Sequence, residues 1–585
     1  MTDFATTYRT LTCGELGASH IGKTVTLAGF VDRRNENMVQ LRDRYGTAKL
    51  LLTREAPAAL RNQWERLQPE YVISATGKVV ARPKMGPGDR GDQVDVNVEK
   101  VEVLSASEPL PPELAADTVE LDDRLRYRNL DLRRPAMQER LAFRSRFLQE
   151  IRSSLHGQGF TEIDTPLLTK WTPEATQSFV VPAGAGRAFA LPGTPQSYKQ
   201  LLMAGGVDRY FQLARCFRHE NELTAEKQLE FTTLDVEIAF ADEEDIFKAI
   251  DGLVSHVWGR MLGATIATPI PRITYEQAMR KYGTDCPDLR FSLEIQDISL
   301  FATQAASPAF REGAGARAIR AEAAAEIVGD NELNQIAQKL TRPNGATVSW
   351  VKVGANRQLR GPGARLFQGN DHHDLMNTHV PCQPGDVLLV ILTKTYEAVN
   401  KPAGLARKHL GKALSASVAA DKPAFAIITR FPFYEYAADD EAWNPCRHPF
   451  TQPIAEDIPL METNKYQVRT MGYDLVLNGI EIGAGSIRNH DVALQRKVFE
   501  MFEYKPQEVE TRFGAILDAF RFGCPPHGGF AIGMDRLLAL VQGQEDIAEV
   551  IAFPKNRNGE DLMFAAPAPI DQDVLAALLG AAAVV

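Results

Sequence analysis

Along residues 1–108 apolar and polar positions alternate in short runs at Val25–Val31, Met38–Leu41, Ala48–Leu52, Tyr71–Val80 and Gln93–Leu104. Successive side chains of a strand point to opposite faces, so a period of two predicts half-buried strands. Gly/Pro-rich turns, such as residues 81–92, separate several of them. Short strands at this density predict a small β-barrel, most economically an OB-type fold, although other barrels and sandwiches share the pattern. A Pro-rich acidic stretch, 107–123, then reads as a linker, with a hinge over 109–135.

Beyond the hinge the period lengthens. Leu141, Phe147, Leu148, Ile151 and Leu155 form a helical stripe over Met137–Gly157, and Gly157 and Gly159 end it. The run 159–169 (GFTEIDTPLLT) predicts a strand. Near residue 286 the sequence turns Ala- and Gly-rich, followed by the apolar run 387–393 (VLLVILT) and a helical pattern near 402–418. Motif-bearing sequence resumes at Phe431, so 286–415 reads as an insertion between 136–285 and 416–585. The stretch 315–326 (GARAIRAEAAAE) is most simply a solvated helix, since Ala is the best helix former.

Composition narrows the class. The chain has 585 residues, 44% apolar and 24% charged, with a net charge of −10. Several globular cores are expected, and a generally basic nucleic-acid coat is excluded, though not a local basic groove. The first 110 residues carry 15 Lys plus Arg against 14 Asp plus Glu, so the excess negative charge lies in the rest. Six scattered cysteines without a CxxC pair point to a reducing compartment. The start MTDFATTYRT shows no export signal, and no apolar run spans a bilayer. A cytoplasmic location is expected, with no membrane partner.

Three segments carry chemistry. In 217–240 (FRHENELTAEKQLEFTTLDVEIAF), an Arg-x-Glu, a polar loop and a strand read as a β-hairpin. Arg218 offers a fork for phosphate and Phe231 a face for a purine. In 523–543 a Gly-rich strand runs through Gly533, Met534, Asp535 and Arg536 into an apolar helix. Glycines allow backbone to approach a ligand; Arg536 suits a phosphate end, while Asp535 equally suits a plain helix cap. In 473–490, Asp474 and Glu481 lie on adjoining strand segments, spaced to share one Mg²⁺ on nucleotide phosphates, and Arg488 follows as a carboxylate clamp. Gly483 and Gly485 lack the six-residue dinucleotide fingerprint. Asp371-His372-His373-Asp374 reads as a solvated turn rather than a metal site, and His527 as structural.

In this order, with helix 137–157 and Thr165-Pro166 as the first, these segments resemble the three signature motifs of class II aminoacyl-tRNA synthetases. The resemblance narrows to the bacterial-type aspartyl family through 125–141 (LRYRNLDLRRPAMQERL), 165–175 (TPLLTKWTPEA), 191–218, 282–290 (YGTDCPDLR), 448–453 (HPFTQP) and 546–556 (DIAEVIAFPKN). It implies an α+β multidomain fold: an N-terminal OB barrel (1–108), an antiparallel-sheet catalytic domain flanked by helices, and an α+β insertion. It implies ATP and Mg²⁺, L-aspartate and tRNA as partners, and a homodimer through the helix before Pro166; no DNA partner is expected. By resemblance Lys199 and Arg488 meet the substrate's side-chain carboxylate, Glu174, Gln196 and Asp235 its ammonium, and Arg447 and His448 its surroundings. Arg218, Glu220, Gln228, Phe231, Glu481, Gly533, Asp535 and Arg536 would hold ATP, with Arg218, Glu220 and Arg536 catalytic and Asp474 and Glu481 on the metal. Two converging cations suit aspartate on physical grounds as well, because asparagine leaves them unpaired.

Departures from the family pattern cluster. The usual His-His-Pro run reads Arg447-His448-Pro449, an added cation beside a carboxylate substrate. Thr233 replaces a Gln, and 175–177 differ. The signature-two loop 221–227 is one residue longer and lacks arginines. In the barrel, Phe30 replaces a Trp, the segment 31–38 is shorter, and Met38 and Lys49 stand at the base-stacking and base-reading positions. With Arg33 and Arg34 these five are the expected tRNA contacts. Three readings stay open: a ligase for tRNA-Asp, with or without tRNA-Asn; a paralogue that activates aspartate for another acceptor; and a non-catalytic relative. Intact Arg218, Glu481 and Arg536 argue against the last.

Overall fold

A computed structural model describes residues 4–82, 93–115, 119–170, 178–184, 187–220, 222–312, 315–341, 345–414, 422–437, 442–572 and 574. The chain divides into two compact units, residues 1–142 with 552–568, and 143–551 with 569–585.

In the first unit, β1 (Thr24–Arg34), β2 (Met38–Arg42), β3 (Thr47–Leu51), β4 (Val72–Ala81) and β5 (Val94–Ser105) close a barrel in the order β1-β2-β3-β5-β4. The parallel β3–β5 pair closes it. Alternation does what the sequence implies: Val25, Leu27 and Val31 point inward with Val39, Leu41, Leu50 and Val96. The helix Ala58–Glu65 adds Leu60 and Trp64 to that core. The expected linker is no loose tether. It folds into the helical turns Leu121–Arg126 and Arg128–Asp131, where buried Arg128 donates to Asp131 at 2.5 Å and to the Ala552 carbonyl at 2.9 Å. Arg124 and Arg134 converge on the same Asp131 carboxylate, a charge pattern that a Pro-rich composition does not reveal.

The second unit is built on a sheet of eight strands: β6 (Thr161–Glu162), β7 (Arg209–Phe217), β8 (Glu230–Ala239), β9 (Arg272–Thr274), β10 (Phe425–Thr429), β11 (Gly472–Leu477), β12 (Ile480–Ile487) and β13 (His527–Gly533), in the order β9-β10-β11-β12-β13-β8-β7-β6. The inner strands pair antiparallel, and only the short edge strands β6 and β9 are parallel to their neighbours. Helices Pro135–Gly157 and Glu243–Leu262 supply Phe147, Ile151, Leu155, Ile250, Leu253 and Trp258 to the core over this sheet. The second helix starts on a reciprocal cap between Asp242 and Asp245 and stops at left-handed Gly263. Within 159–169, only Thr161–Glu162 and Thr169 enter strands; Pro166 has no N–H to give a ladder.

Between β9 and β10 stands a separate five-stranded antiparallel sheet, in the order Ile295–Asp297, Gly315–Ala321, Val387–Thr393, Thr347–Val353, Leu359–Arg360. Cores cover both of its faces: Ile319, Ala321, Leu389 and Ile391 on one, Ala316, Ala318, Val390 and Leu392 on the other. The Ala-rich segment 315–321 is therefore a buried strand and not a solvated helix. Small side chains suit a strand covered twice, and that context overrides intrinsic propensity. Buried Asp371 accepts from the Ala306, Ser307 and Gln368 amides, so this acid of the polar loop is a structural anchor.

Candidate active site

The sheet brings the chemistry-bearing segments together by register. β8 lies between β7 and β13 with Asp235 opposite Gln212 and Ala531, while Glu237, two residues on, shares its face. Helix Gln196–Ala204 delivers Lys199, whose Nζ donates to Asp235 Oδ1 at 2.9 Å and lies 3.4 Å from Glu237 Oε2. From the end of β12, Arg488 donates through Nε to Glu237 Oε1 at 3.0 Å and through a terminal nitrogen to Ser486 Oγ at 2.6 Å. All four charges are buried. Burial alone would raise the Glu237 carboxyl, but Arg488 and Lys199 outweigh it and hold its pKa below the usual range. Asp235 Oδ2 is buried without a hydrogen-bond partner, an acceptor left open.

Two cations thus meet two carboxylates, so they do not stand bare as the sequence reading had them. Glu237 escaped that reading although Asp235 and Glu237 sit at strand spacing i, i+2, which was the available signal. Burial, Arg488 and Lys199 pull the His448 pKa down to about 3, leaving a neutral imidazole that stacks on Phe450. Gln196 donates to Gln200, which bonds the His527 ring; His527 Nδ1 bonds the Pro525 carbonyl, a structural role as expected. Glu174 lies outside the described residues.

Gln196, Arg218, Arg447 and His448 line one cavity of about 860 Å³. The Arg218 guanidinium stands 5.3 Å from the Phe231 ring centre, a cation–π contact that brings the phosphate fork and the aromatic face to one place. Glu220 pairs with Lys227 at 3.0 Å, and Gln228 is buried. Gly533 caps the helix Met534–Val541, and a Cβ there would meet nothing within 4 Å, so the chain leaves room above the sheet. Arg536 reaches the Glu481 carbonyl at 3.4 Å and Glu226 at 3.6 Å. Asp535 does not face a nucleotide: it accepts from the Thr232 amide at 2.9 Å and from Arg144 at 2.5 Å, tying β8 to helix Pro135–Gly157. Its burial leaves neither oxygen for a ligand, nor does it cap its own helix.

β11 and β12 form a hairpin through Asn478 and Gly479, both at positive φ, the Asn-Gly turn that matches strand twist. It sets Asp474 and Glu481 on adjoining strands. Burial, then Asp474, lifts the Glu481 pKa to about 7. Asp474, however, receives both Arg447 terminal nitrogens at 2.7 Å. Its oxygens are engaged and a positive charge lies against them, so the pair does not suit an Mg²⁺ shared between these carboxylates. Among the described residues no cluster of three His, Cys, Asp or Glu side chains is placed to hold a metal ion.

On the barrel, β2 and β3 turn Met38 and Lys49 outward on one face, with Val39, Leu41, Ala48 and Leu50 inward. Phe30 is not an open platform. The Arg133 and Arg42 guanidiniums stand 4.5 and 5.3 Å from its ring centre, both held by Glu70. Arg33 is exposed beside Asp32, whereas Arg34 buries its Nε. All six cysteines are free thiols, and among the described residues no helix is long and apolar enough to cross a membrane.

A six-stranded antiparallel core that gathers Arg218 and Phe231 from one hairpin and Arg536 from a distant strand–helix junction is the architecture of a class II tRNA synthetase. The family model described as tRNA synthetases class II (D, K and N) matches residues 120–557. An aspartate–tRNA ligase of Geobacillus kaustophilus is 37% identical over 97% of this chain and 98% of its own length. An aspartate–tRNA(Asp/Asn) ligase of Geotalea uraniireducens is 39% identical over 97% of each. Among solved structures, a putative aspartyl-tRNA synthetase from Leishmania major (TM-score 0.58, 20% identity, 95% of each chain) shares the fold. So does the asparaginyl-tRNA synthetase from Pyrococcus horikoshii complexed with asparaginyl-adenylate (TM-score 0.56, 19% identity, 93% of this chain and 97% of that one). The chain belongs to the class II tRNA synthetases, in their bacterial aspartate–tRNA ligase branch.

Proposed function

We propose that the protein joins L-aspartate to ATP as aspartyl-adenylate and passes the aspartyl group to the 3′ end of tRNA-Asp. The observation that carries this is the buried quartet Lys199, Asp235, Glu237 and Arg488 beside the Arg218–Phe231 pair. The open Asp235 Oδ2 accepts the substrate ammonium, and Arg488 with Lys199 supplies the charge that a second carboxylate needs. Asparagine turns an amide N–H donor toward the Arg488 and Lys199 donors where aspartate brings an acceptor. Gln196 and neutral His448 border the substrate without adding charge.

Adenine stacks on Phe231, Glu220 and Gln228 border that slot, and Arg218 and Arg536 face the phosphates. The aspartate α-carboxylate attacks the α-phosphorus, the bond to the pyrophosphate oxygen breaks, and pyrophosphate leaves. A tRNA hydroxyl then displaces AMP from the adenylate. The chain's part is positioning and fixed positive charge, with no side-chain proton transfer required in the first step. No step is assigned to Mg²⁺ at Asp474.

For the acceptor, outward-facing Met38 and Lys49 lie on the face of an OB barrel that serves oligonucleotides, and the net charge of −10 makes a salt-sensitive local groove the mode of contact. A homodimer and a cytoplasmic location accompany this reading. Aspartate-dependent ATP–pyrophosphate exchange followed by charging of tRNA-Asp and tRNA-Asn tests it. Exchange without charging of either tRNA would favour another acceptor, and absence of exchange would refute activation.

A further inference from the structure

Arg447 is held on three sides. Its terminal nitrogens each donate to one Asp474 oxygen at 2.7 Å. Its guanidinium carbon lies 3.6 Å from the Phe431 ring centre. The thiol of Cys446, the preceding residue, donates to the Pro432 carbonyl at 3.1 Å, fixing the approach of this segment. The side chain lines the same cavity as Arg218 and His448, yet its Nε–H is buried without a partner. A bidentate, stacked arginine is pre-organised, and little further ordering is needed when an anion arrives. The Glu481 carboxyl feels the charges of Asp474, Arg447 and Arg536 together, and Arg536 reaches its carbonyl at 3.4 Å.

We propose that Arg447 is a built-in cation of the nucleotide site: bound to Asp474, it takes the place of a divalent ion there and faces the anionic phosphate of the bound nucleotide. The inference rests on the ATP-site reading above, but its first consequence concerns the free chain. Asp474 bears a fixed monovalent cation and cannot bind a divalent one without expelling the guanidinium. Nucleotide affinity then depends less on divalent ions than in a site with two free carboxylates.

The test uses Mn²⁺ as probe, counted by electron paramagnetic resonance on the full chain without nucleotide, and ATP binding by calorimetry with EDTA or with Mg²⁺. Wild type is expected to hold no Mn²⁺ that depends on Asp474, and Arg447→Ala to gain one such ion. ATP affinity of Arg447→Ala should fall at least tenfold in EDTA and by less in Mg²⁺. Mn²⁺ bound by wild type and lost in Asp474→Asn would overturn the proposal; so would an Arg447→Ala chain that gains no ion. If Arg447→Ala does not fold, the Asp474→Asn comparison in the wild-type background still decides. The Mn²⁺ count is independent of adenylation, so failure of pyrophosphate exchange would refute the function without touching this result.

Discussion

Replacing Lys199 by Met tests the charge logic of the substrate pocket most directly. Met matches the length of the lysine stem and removes only the ammonium, which now lies 2.9 Å from Asp235 and 3.4 Å from Glu237. The buried quartet goes from neutral to a net charge of minus one. A second carboxylate brought to about 5 Å from that charge meets repulsion of about 3 kcal/mol at an effective dielectric of about 20. Since about 1.4 kcal/mol is tenfold, kcat/KM for aspartate in pyrophosphate exchange should fall about 100-fold. Asparagine, which adds no charge, should lose much less, so the aspartate-to-asparagine ratio should collapse by about two orders of magnitude. The assay is exchange with each amino acid in turn, with thermal unfolding alongside to register damage to the fold. Equal losses for both amino acids, in a folded variant, would refute the reasoning, because a merely structural lysine would cost them alike.

Further consequences follow from individual contacts. Asp535→Asn should lower stability by about 2–4 kcal/mol, because the Arg144 charge is left half-buried against an amide; the melting temperature should drop while the KM for ATP changes less than threefold. The Glu481 pKa of about 7 lies above its unfolded value of about 4.3. Its contribution to stability is therefore full below about pH 4.3 and is lost as pH rises through 7. Glu481→Gln should accordingly melt higher than wild type at pH 8 by about 1–2 kcal/mol, discounted for partial exposure, with the gap closing toward pH 5. Lys49→Glu should raise the KM for tRNA and leave exchange unchanged, measured at two salt concentrations to expose the electrostatic share.

The fold was legible wherever burial is one-sided. In the barrel, alternation placed the strands within a residue or two, save that the first runs three residues past Val31 to Arg34, because a strand with one wet face writes its period into the sequence. The segments that misled are those covered on both sides or packed by charge. Gly315–Ala321 has cores on both faces, and its two polar residues, Arg317 and Arg320, fall three apart rather than at the strand period, so its alanines look helical. The stretch around Arg128 and Asp131 looks like a linker because ion pairs, not apolar residues, hold it. The site was legible as residue types in order, but pairing was not. Asp535 resembles a phosphate neighbour in the sequence and is a tie to Arg144 in space, and Phe30 resembles a free aromatic face and is attended by two arginines.

That difference between residue type and pairing bears on how this site handles charge. Sequence alone counts cations and offers Lys199, Arg447 and Arg488 as three attractors for anions. The fold answers each with a buried acid: Asp235 and Glu237 for the first and last, Asp474 for the second. Unpaired, three buried cations would cost several kcal/mol each in desolvation, and the two guanidiniums could not relieve that cost by losing a proton. Paired, they form oriented dipoles whose positive ends need no reorganisation when a carboxylate or phosphate arrives. On the proposed reading, selectivity for aspartate lies in geometry rather than in excess charge: the open oxygen on Asp235 would receive the ammonium and donors on Arg488 the carboxylate. A body that carries net negative charge can in this way present a site for an anionic substrate without a positive surface around it.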